Sequence, residues 1–163
     1  MNNQDIVDRF AITDQIYRYC RSVDRLDVQL GHGVFHADSY ADFGSYKGSG
    51  RGWIDFICQE HLKFLHHSHQ VTNIIIETAG ARAGSESYVT ATLRSREGAQ
   101  VFQRQFWARY VDAWSHRDGL WAIDKRECVI DFDSVSEVTS INEYTRGRRD
   151  ASDPSYGVLQ GVK

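Results

Sequence analysis

Two features of this sequence have the residue types and spacing to move a proton: Asp24, and the run His66-His67-Ser68-His69. Asp24 follows an apolar stripe of helical period and so falls at a helix C-terminus, where a carboxylate opposes the helix dipole. It either faces solvent there or is held by a partner such as an imidazole. The histidine run enters an apolar, β-branched stretch that reads as a strand. Alternation along that strand puts His67 and His69 on one face and His66 on the other. Two chemistries suit the pair. One is metal ligation through His67, His69 and His61, since imidazoles are common ligands. The other is general-base catalysis by one inward histidine, oriented by a carboxylate on its other nitrogen. No carboxylate or thiolate lies nearby at metal-motif spacing, so no metal is expected. A polar strand entry with local hydrogen bonds is the plain alternative. Arg126 shares strand parity with Asp124, Cys128, Ile130 and Phe132. It can stabilise a developing oxyanion on a concave sheet face, or form a cross-strand salt bridge. Tyr19, Tyr46 and Tyr110 carry hydroxyls that need partners if buried and can orient a substrate oxygen.

Elements must bring these residues together. Ile12, Ile16, Tyr19 and Val23 recur at three- and four-residue steps and predict a first helix. Asp27 is a good N-cap for a second short helix carrying Val28, Leu30, Val34 and Phe35. Residues 39–46 read as a short strand, 47–52 as a glycine-rich turn and 53–65 as a third helix. Strands follow over 71–78, 85–96, 101–114 and 121–132, with turns at Ala79-Gly80-Ala81, Glu97-Gly98 and Arg117-Asp118-Gly119. Helices followed by an antiparallel meander predict an α+β fold. A curved, mostly antiparallel sheet, closed on its concave face by three N-terminal helices, would leave a pocket between the layers. Residues 1–132 are expected to form this domain. Residues 133–163 are expected to be a polar tail packing on its own or a neighbouring subunit, with Arg146 to Arg149 as a solvated basic run.

Composition narrows the classes. The 163 residues are 41% apolar and 25% charged, enough for a core, and the net charge of −3 argues against a nucleic-acid binder. No apolar run is long enough to span a bilayer. The polar start Met1-Asn2-Asn3-Gln4-Asp5 lacks signal-peptide character. Three scattered cysteines, Cys20, Cys58 and Cys128, suit free thiols in a reducing cytoplasm. No nucleotide, flavin or zinc motif is present, so no cofactor is expected. Apolar residues on both parities of the last strand, Ile123 and Val129 against Cys128 and Ile130, predict a homo-oligomer, because both sheet faces would need cover.

Ile12-Thr13-Asp14-Gln15-Ile16-Tyr17, Ser22-Val23-Asp24, Tyr46-Lys47-Gly48, His69-Gln70-Val71-Thr72-Asn73-Ile74, Arg117-Asp118-Gly119-Leu120-Trp121 and Asp124-Lys125-Arg126 together resemble one superfamily. It is the nuclear-transport-factor-2-like cone, in its SnoaL-like branch. That branch includes scytalone dehydratase, lindane dehydrochlorinase, polyketide cyclases, steroid isomerases and lyases that release formaldehyde from lignin-derived diarylpropanes. The resemblance implies an acid–base pair of Asp24 and His69, with the group's strand arginine on Arg126 and a pocket aromatic on Tyr110. Tyr19, Tyr46, Tyr110, His67 and Phe132 would then contact substrate. Tyr19 stands where the dehydrochlorinase has a lysine, which argues against chloride as the leaving group, and an aromatic-rich pocket with Tyr19, Tyr46, Tyr110 and Arg126 suits a phenolic substrate at least as well. The implied activity is a cofactor-independent lyase on a small aromatic substrate, eliminating water or releasing an aldehyde. The alternatives are a non-catalytic accessory subunit of a ring-hydroxylating dioxygenase and a ketosteroid-type isomerase. Related lyases are often trimers, so a trimer or dimer is expected.

Overall fold

A computed structural model describes residues 3–139 and 147–162. Its elements are α1 (Asn3–Arg25), α2 (Val28–His32), β1 (Phe35–Asp42), β2 (Lys47–Ser49), α3 (Gly50–His61), β3 (His66–Ala79), β4 (Arg82–Glu97), β5 (Gln100–Arg117), β6 (Leu120–Glu137) and α4 (Pro154–Gln160). The apolar stripe of α1 is buried at Ile12, Ile16, Tyr19, Cys20 and Val23. The helix stops just past Asp24 because Leu26 adopts a left-handed conformation, φ 55°. Leu26 N–H donates to the Val23 carbonyl at 3.2 Å and Asp27 N–H to the Ser22 carbonyl at 2.8 Å. This paired closure usually recruits glycine. Asp27 then caps α2, accepting from Leu30 N–H at 3.0 Å. The chain therefore turns away from Asp24 at once and leaves its carboxylate at the helix end.

The six strands form one open, mixed sheet in the order β2-β1-β6-β5-β4-β3. β1 runs parallel to β6, and the other neighbours are antiparallel. Gly80, Gly98 and the Asp118-Gly119 pair turn the three long hairpins with positive φ, as tight hairpins require. With α1–α3 against one face, this is the expected α+β cone.

Several local expectations change. Val34 and Phe35 do not continue α2, which ends at His32; Phe35 opens β1, and both residues are fully buried. Residues 47–52 are not a free turn: 47–49 pair with β1, and Ser49 caps α3 by accepting from Gly52 N–H at 3.0 Å. Register shifts interrupt β6 at Asp124 and Asp131. Each inserts one residue and reverses strand parity. Ile123 and Arg126 consequently share the helix-covered face despite opposite parity, so Ile123 no longer argues for a second buried face. The described part of the C-terminal segment packs on the end of α1. Arg21 reaches the Ser155 hydroxyl at 3.1 Å, and the Tyr156 hydroxyl reaches Asp27 at 3.2 Å. Of the basic run, Arg146 lies outside the described residues, while Arg149 donates to the His61 carbonyl at 2.8 Å.

Gly50, the first residue of α3, sits against β1. A Cβ there would meet the Phe35 ring at 2.2 Å and the Ser39 hydroxyl at 2.6 Å. Gly50→Ala should therefore cost about 1–3 kcal/mol by overpacking, read as a lowered urea midpoint. Gly157→Ala, where an added Cβ meets nothing within 4 Å, should leave the midpoint unchanged or slightly raised.

Candidate active site

The closure at Leu26 and the entry of β3 bring Asp24 and His69 into contact. One Asp24 carboxylate oxygen accepts from His69 Nδ1 at 2.7 Å, and the other accepts from the His69 backbone N–H at 3.0 Å. Two bonds from one carboxylate fix both the strand position and the ring of the histidine. They also supply the partner that a carboxylate at this end of a helix requires. A carboxylate only accepts, so Nδ1 carries the proton and Nε2 keeps the lone pair. His69 Nε2 makes no hydrogen bond among the described residues. The side chains of His69 and Asp24 are 8% and 16% exposed, so the pair is shielded but reachable.

His69 lines a cavity of about 350 Å³ between α1, α3 and the sheet, within the ordinary size range for small-molecule sites. Aromatic rings form much of its wall. Phe43 stacks on Trp53 with centroids 3.7 Å apart, and Tyr19 meets Tyr110 edge-on at 5.3 Å. Trp53 Nε1 donates to the Tyr19 hydroxyl at 2.9 Å, leaving the Tyr19 proton uncommitted among the described residues. The Tyr110 hydroxyl makes no hydrogen bond there either. Burial holds both phenols above their ordinary pKa, so they remain protonated donors. His61 also lines the cavity, its ring 6.3 Å from that of His69. Burial, with the nearby His67, His69 and Arg149, pushes its pKa down to about 3. It is a neutral imidazole at physiological pH. Burial pushes the Cys128 thiol in the same wall up to about 11, which leaves it a poor nucleophile.

Arg126 is not in the cavity wall. It is fully buried and forms the cross-strand salt bridge, with Nε and Nη2 each 2.7 Å from an Asp112 oxygen. Its guanidinium packs against the rings of both Tyr19 and Tyr110, 4.1 and 4.2 Å from their centroids. Tyr19 and Tyr110 line the cavity and Arg126 does not, so its charge lies behind the two rings. Phe132 is likewise displaced. The bulge at Asp131 moves it to the opposite face, where it stacks on Trp107 at 4.8 Å and is 59% exposed. Tyr46 packs on Phe56 behind the wall, with its hydroxyl donated to the Ser49 carbonyl at 3.0 Å. His67 is buried beside the dyad, and its Nε2–H donates to the Val23 carbonyl at 2.7 Å. It braces the end of α1. Of the expected site residues, the structure brings together Asp24, His69, Tyr19 and Tyr110. It adds His61, Phe43 and Trp53. His61 was visible as a histidine on the inner face of α3, whereas nothing local marked Phe43. Among the described residues no group of three or more His, Cys, Asp or Glu side chains is placed to hold a metal ion. No helix among them is long and apolar enough to cross a membrane.

An open mixed sheet covered by N-terminal helices, with an Asp–His pair at the wall of an internal cavity, defines a cone-fold protein of the nuclear-transport-factor-2-like superfamily. The chain belongs to the SnoaL-like domain family, whose profile matches residues 4–127. Among solved structures it is similar to a scytalone dehydratase-like protein from Novosphingobium aromaticivorans. That match has 20% identity and a TM-score of 0.74, covering 91% of this chain and 100% of the other. A hexachlorocyclohexane dehydrochlorinase, LinA-type3 from Novosphingobium barchaimii, matches at 17% identity and a TM-score of 0.71, covering 87% and 97%. A protein from Kribbella flavida matches at 14% identity and a TM-score of 0.70, covering 80% and 95%. At these identities the likeness is one of fold. No curated protein matches the chain.

Two outcomes follow from this geometry. Removing one partner of a buried ion pair leaves the other charge stranded, at about 3–5 kcal/mol. Arg126→Met should therefore lower stability in urea by that amount, and adding Asp112→Leu should recover much of the loss. Equal stability of Arg126→Met and the parent chain would contradict the core assignment. The second outcome concerns pH. His61 titrates near 6.5 when unfolded but only near 3 when folded. Below about pH 6.5 the unfolded chain therefore binds a proton that the folded chain refuses, and stability must fall as pH falls toward 3. One such group contributes at most about 1.4 kcal/mol per pH unit. Urea midpoints at pH 7 and pH 5 should show the decline, and His61→Phe should make it shallower.

Proposed function

We propose that this protein is a cofactor-independent lyase acting on a small aromatic substrate by general-base catalysis at His69. The observation that carries the reading is the Asp24 carboxylate gripping both the backbone N–H and Nδ1 of His69, beside an aromatic cavity. His69 Nε2 takes a proton from substrate carbon or hydroxyl. Asp24 is a positioning residue that keeps Nδ1 protonated and stabilises the imidazolium. The oxygen that gains charge or departs is met by donors facing the cavity, the Tyr110 and Tyr19 hydroxyls and the neutral His61 ring. This role passes to them from Arg126. Loss of a β-hydroxyl as water, or retro-aldol release of an aldehyde, needs only this set: a base, a donor to oxygen and a site shielded from solvent. A phenolic ring stacked among Phe43, Trp53 and Tyr19 suits either outcome. The same reading includes a homo-oligomer, through the apolar face that carries Trp107 and Phe132, and a cytoplasmic setting.

The test is a panel of phenolic β-hydroxy compounds and diaryl alcohols incubated with the protein and read by mass spectrometry. Loss of water or release of an aldehyde is the expected result, and a product of unchanged mass would favour an isomerase. With a substrate in hand, His69→Ala should lower kcat by about 10²–10⁴-fold, and Asp24→Asn by a comparable factor with KM little changed. Both variants should keep the parent circular dichroism. Folded variants that retain near-normal turnover would defeat the assignment of His69 as base, and a panel with no turnover at all would favour an accessory role.

A further inference from the structure

The cavity holds one basic side chain that the proposed reaction does not use. Arg104, on β5, lines it together with His69, Phe106 and Tyr110. Its cross-strand neighbours are Leu93 on β4 and Val135 on β6, so apolar side chains flank it on both sides. Arg104 makes no ion pair or hydrogen bond among the described residues. Asp133, diagonal to it on β6, is not joined to it, and Glu60, the carboxylate in the cavity wall, is held by Lys63 at 2.7 Å. Three other arginines of the sheet are paired: Arg109 with Glu86 and Asp131, Arg117 with Asp38 and Asp124, and Arg126 with Asp112; Arg82 and Arg96 on β4 do not line the cavity. Arg104 is exposed, so it stands at the mouth and its charge stays hydrated until something anionic arrives.

Its position relative to His69 sets a length. His69 pairs with Ala91, Ala91 with Phe106, and Arg104 lies two residues from Phe106 on β5. Two strand spacings of about 4.8 Å and two residue rises of about 3.4 Å separate the backbones by about 12 Å. Both side chains project into the same cavity and shorten that gap to roughly the length of one ring and a short chain. We propose that the substrate is an aromatic carboxylate, its carboxylate bound by Arg104 at the mouth and its ring on the Phe43–Trp53 wall, with the reacting atom at His69. Guanidinium matches a carboxylate with two parallel N–H···O bonds, and a partly shielded mouth strengthens the pair. This inference rests on the cavity being the substrate site, but not on the reaction at His69.

The test compares 3-phenylpropionate with the isosteric neutral 3-phenylpropionamide by isothermal titration calorimetry on the full chain. The acid should bind about five- to tenfold more tightly, and 0.5 M salt should narrow the gap. Arg104→Gln should erase the preference while leaving amide binding unchanged. Arg104→Lys should keep part of it. His69→Gln should retain it, which separates recognition by Arg104 from recognition by a protonated imidazole. Equal binding of acid and amide to the parent chain, or an undiminished preference in Arg104→Gln, overturns the carboxylate assignment and leaves the cavity as a site for neutral ligands. Binding of neither probe overturns the cavity reading and the assignment together.

Discussion

One carboxylate joins the helical layer to the sheet at the point where chemistry is possible. Asp24 is fixed from behind by the helix closure at Leu26 and in front by two hydrogen bonds to His69. Because it holds the backbone N–H as well as the ring, the bond to Nδ1 cannot drift without lifting the first residues of β3 from α1. His67, bonded to the Val23 carbonyl one residue earlier, doubles the same junction. Ring tautomer, helix end and strand register are thus parts of one arrangement, and the free Nε2 is its output.

A second polar structure lies deeper and does different work. The Arg126–Asp112 bridge is wholly buried, where an ion pair contributes little net stability over an apolar replacement but costs heavily if halved. Tyr19 and Tyr110 cover its guanidinium and face the cavity with their other sides. The positive charge beneath these rings partly counters the rise in phenol pKa caused by burial. The charge acts at one remove, through two rings that line the cavity. The cavity therefore has a floor of buried, protonated phenols, the His69 imidazole on one wall and the exposed Arg104 at its mouth.

The dyad was legible in two stages. Helical period in α1 places Asp24 at the last turn and alternation in β3 puts His67 and His69 on one face, while the choice of His69 as partner came from the family resemblance and matches the bond found. The outline of helices followed by a meander was equally plain. Phe132 was misplaced because strand parity was carried along β6 through Asp131, where a bulge inserts a residue and changes the face. Such bulges leave no mark in apolar alternation. Arg126 does face the helices, as its parity with Cys128 indicated, but it is spent on the cross-strand bridge to Asp112 under the rings of Tyr19 and Tyr110. Tyr46 failed differently, since a turn residue can aim its ring at its own helix, here Phe56 and the Ser49 carbonyl. The parallel pairing of β1 with β6 depends on a crossover of more than seventy residues, far beyond any sequence window.

The central claim is that Asp24 holds His69 with Nδ1 protonated and Nε2 free toward the cavity. Nitrogen-15 NMR of the imidazole reads this directly in ligand-free protein above neutral pH. The expected spectrum has a hydrogen-bonded Nδ1–H for His69 and an unprotonated Nε2, and Asp24→Asn should weaken or reverse that preference. A parent protein whose neutral His69 carries its proton on Nε2 would contradict the account.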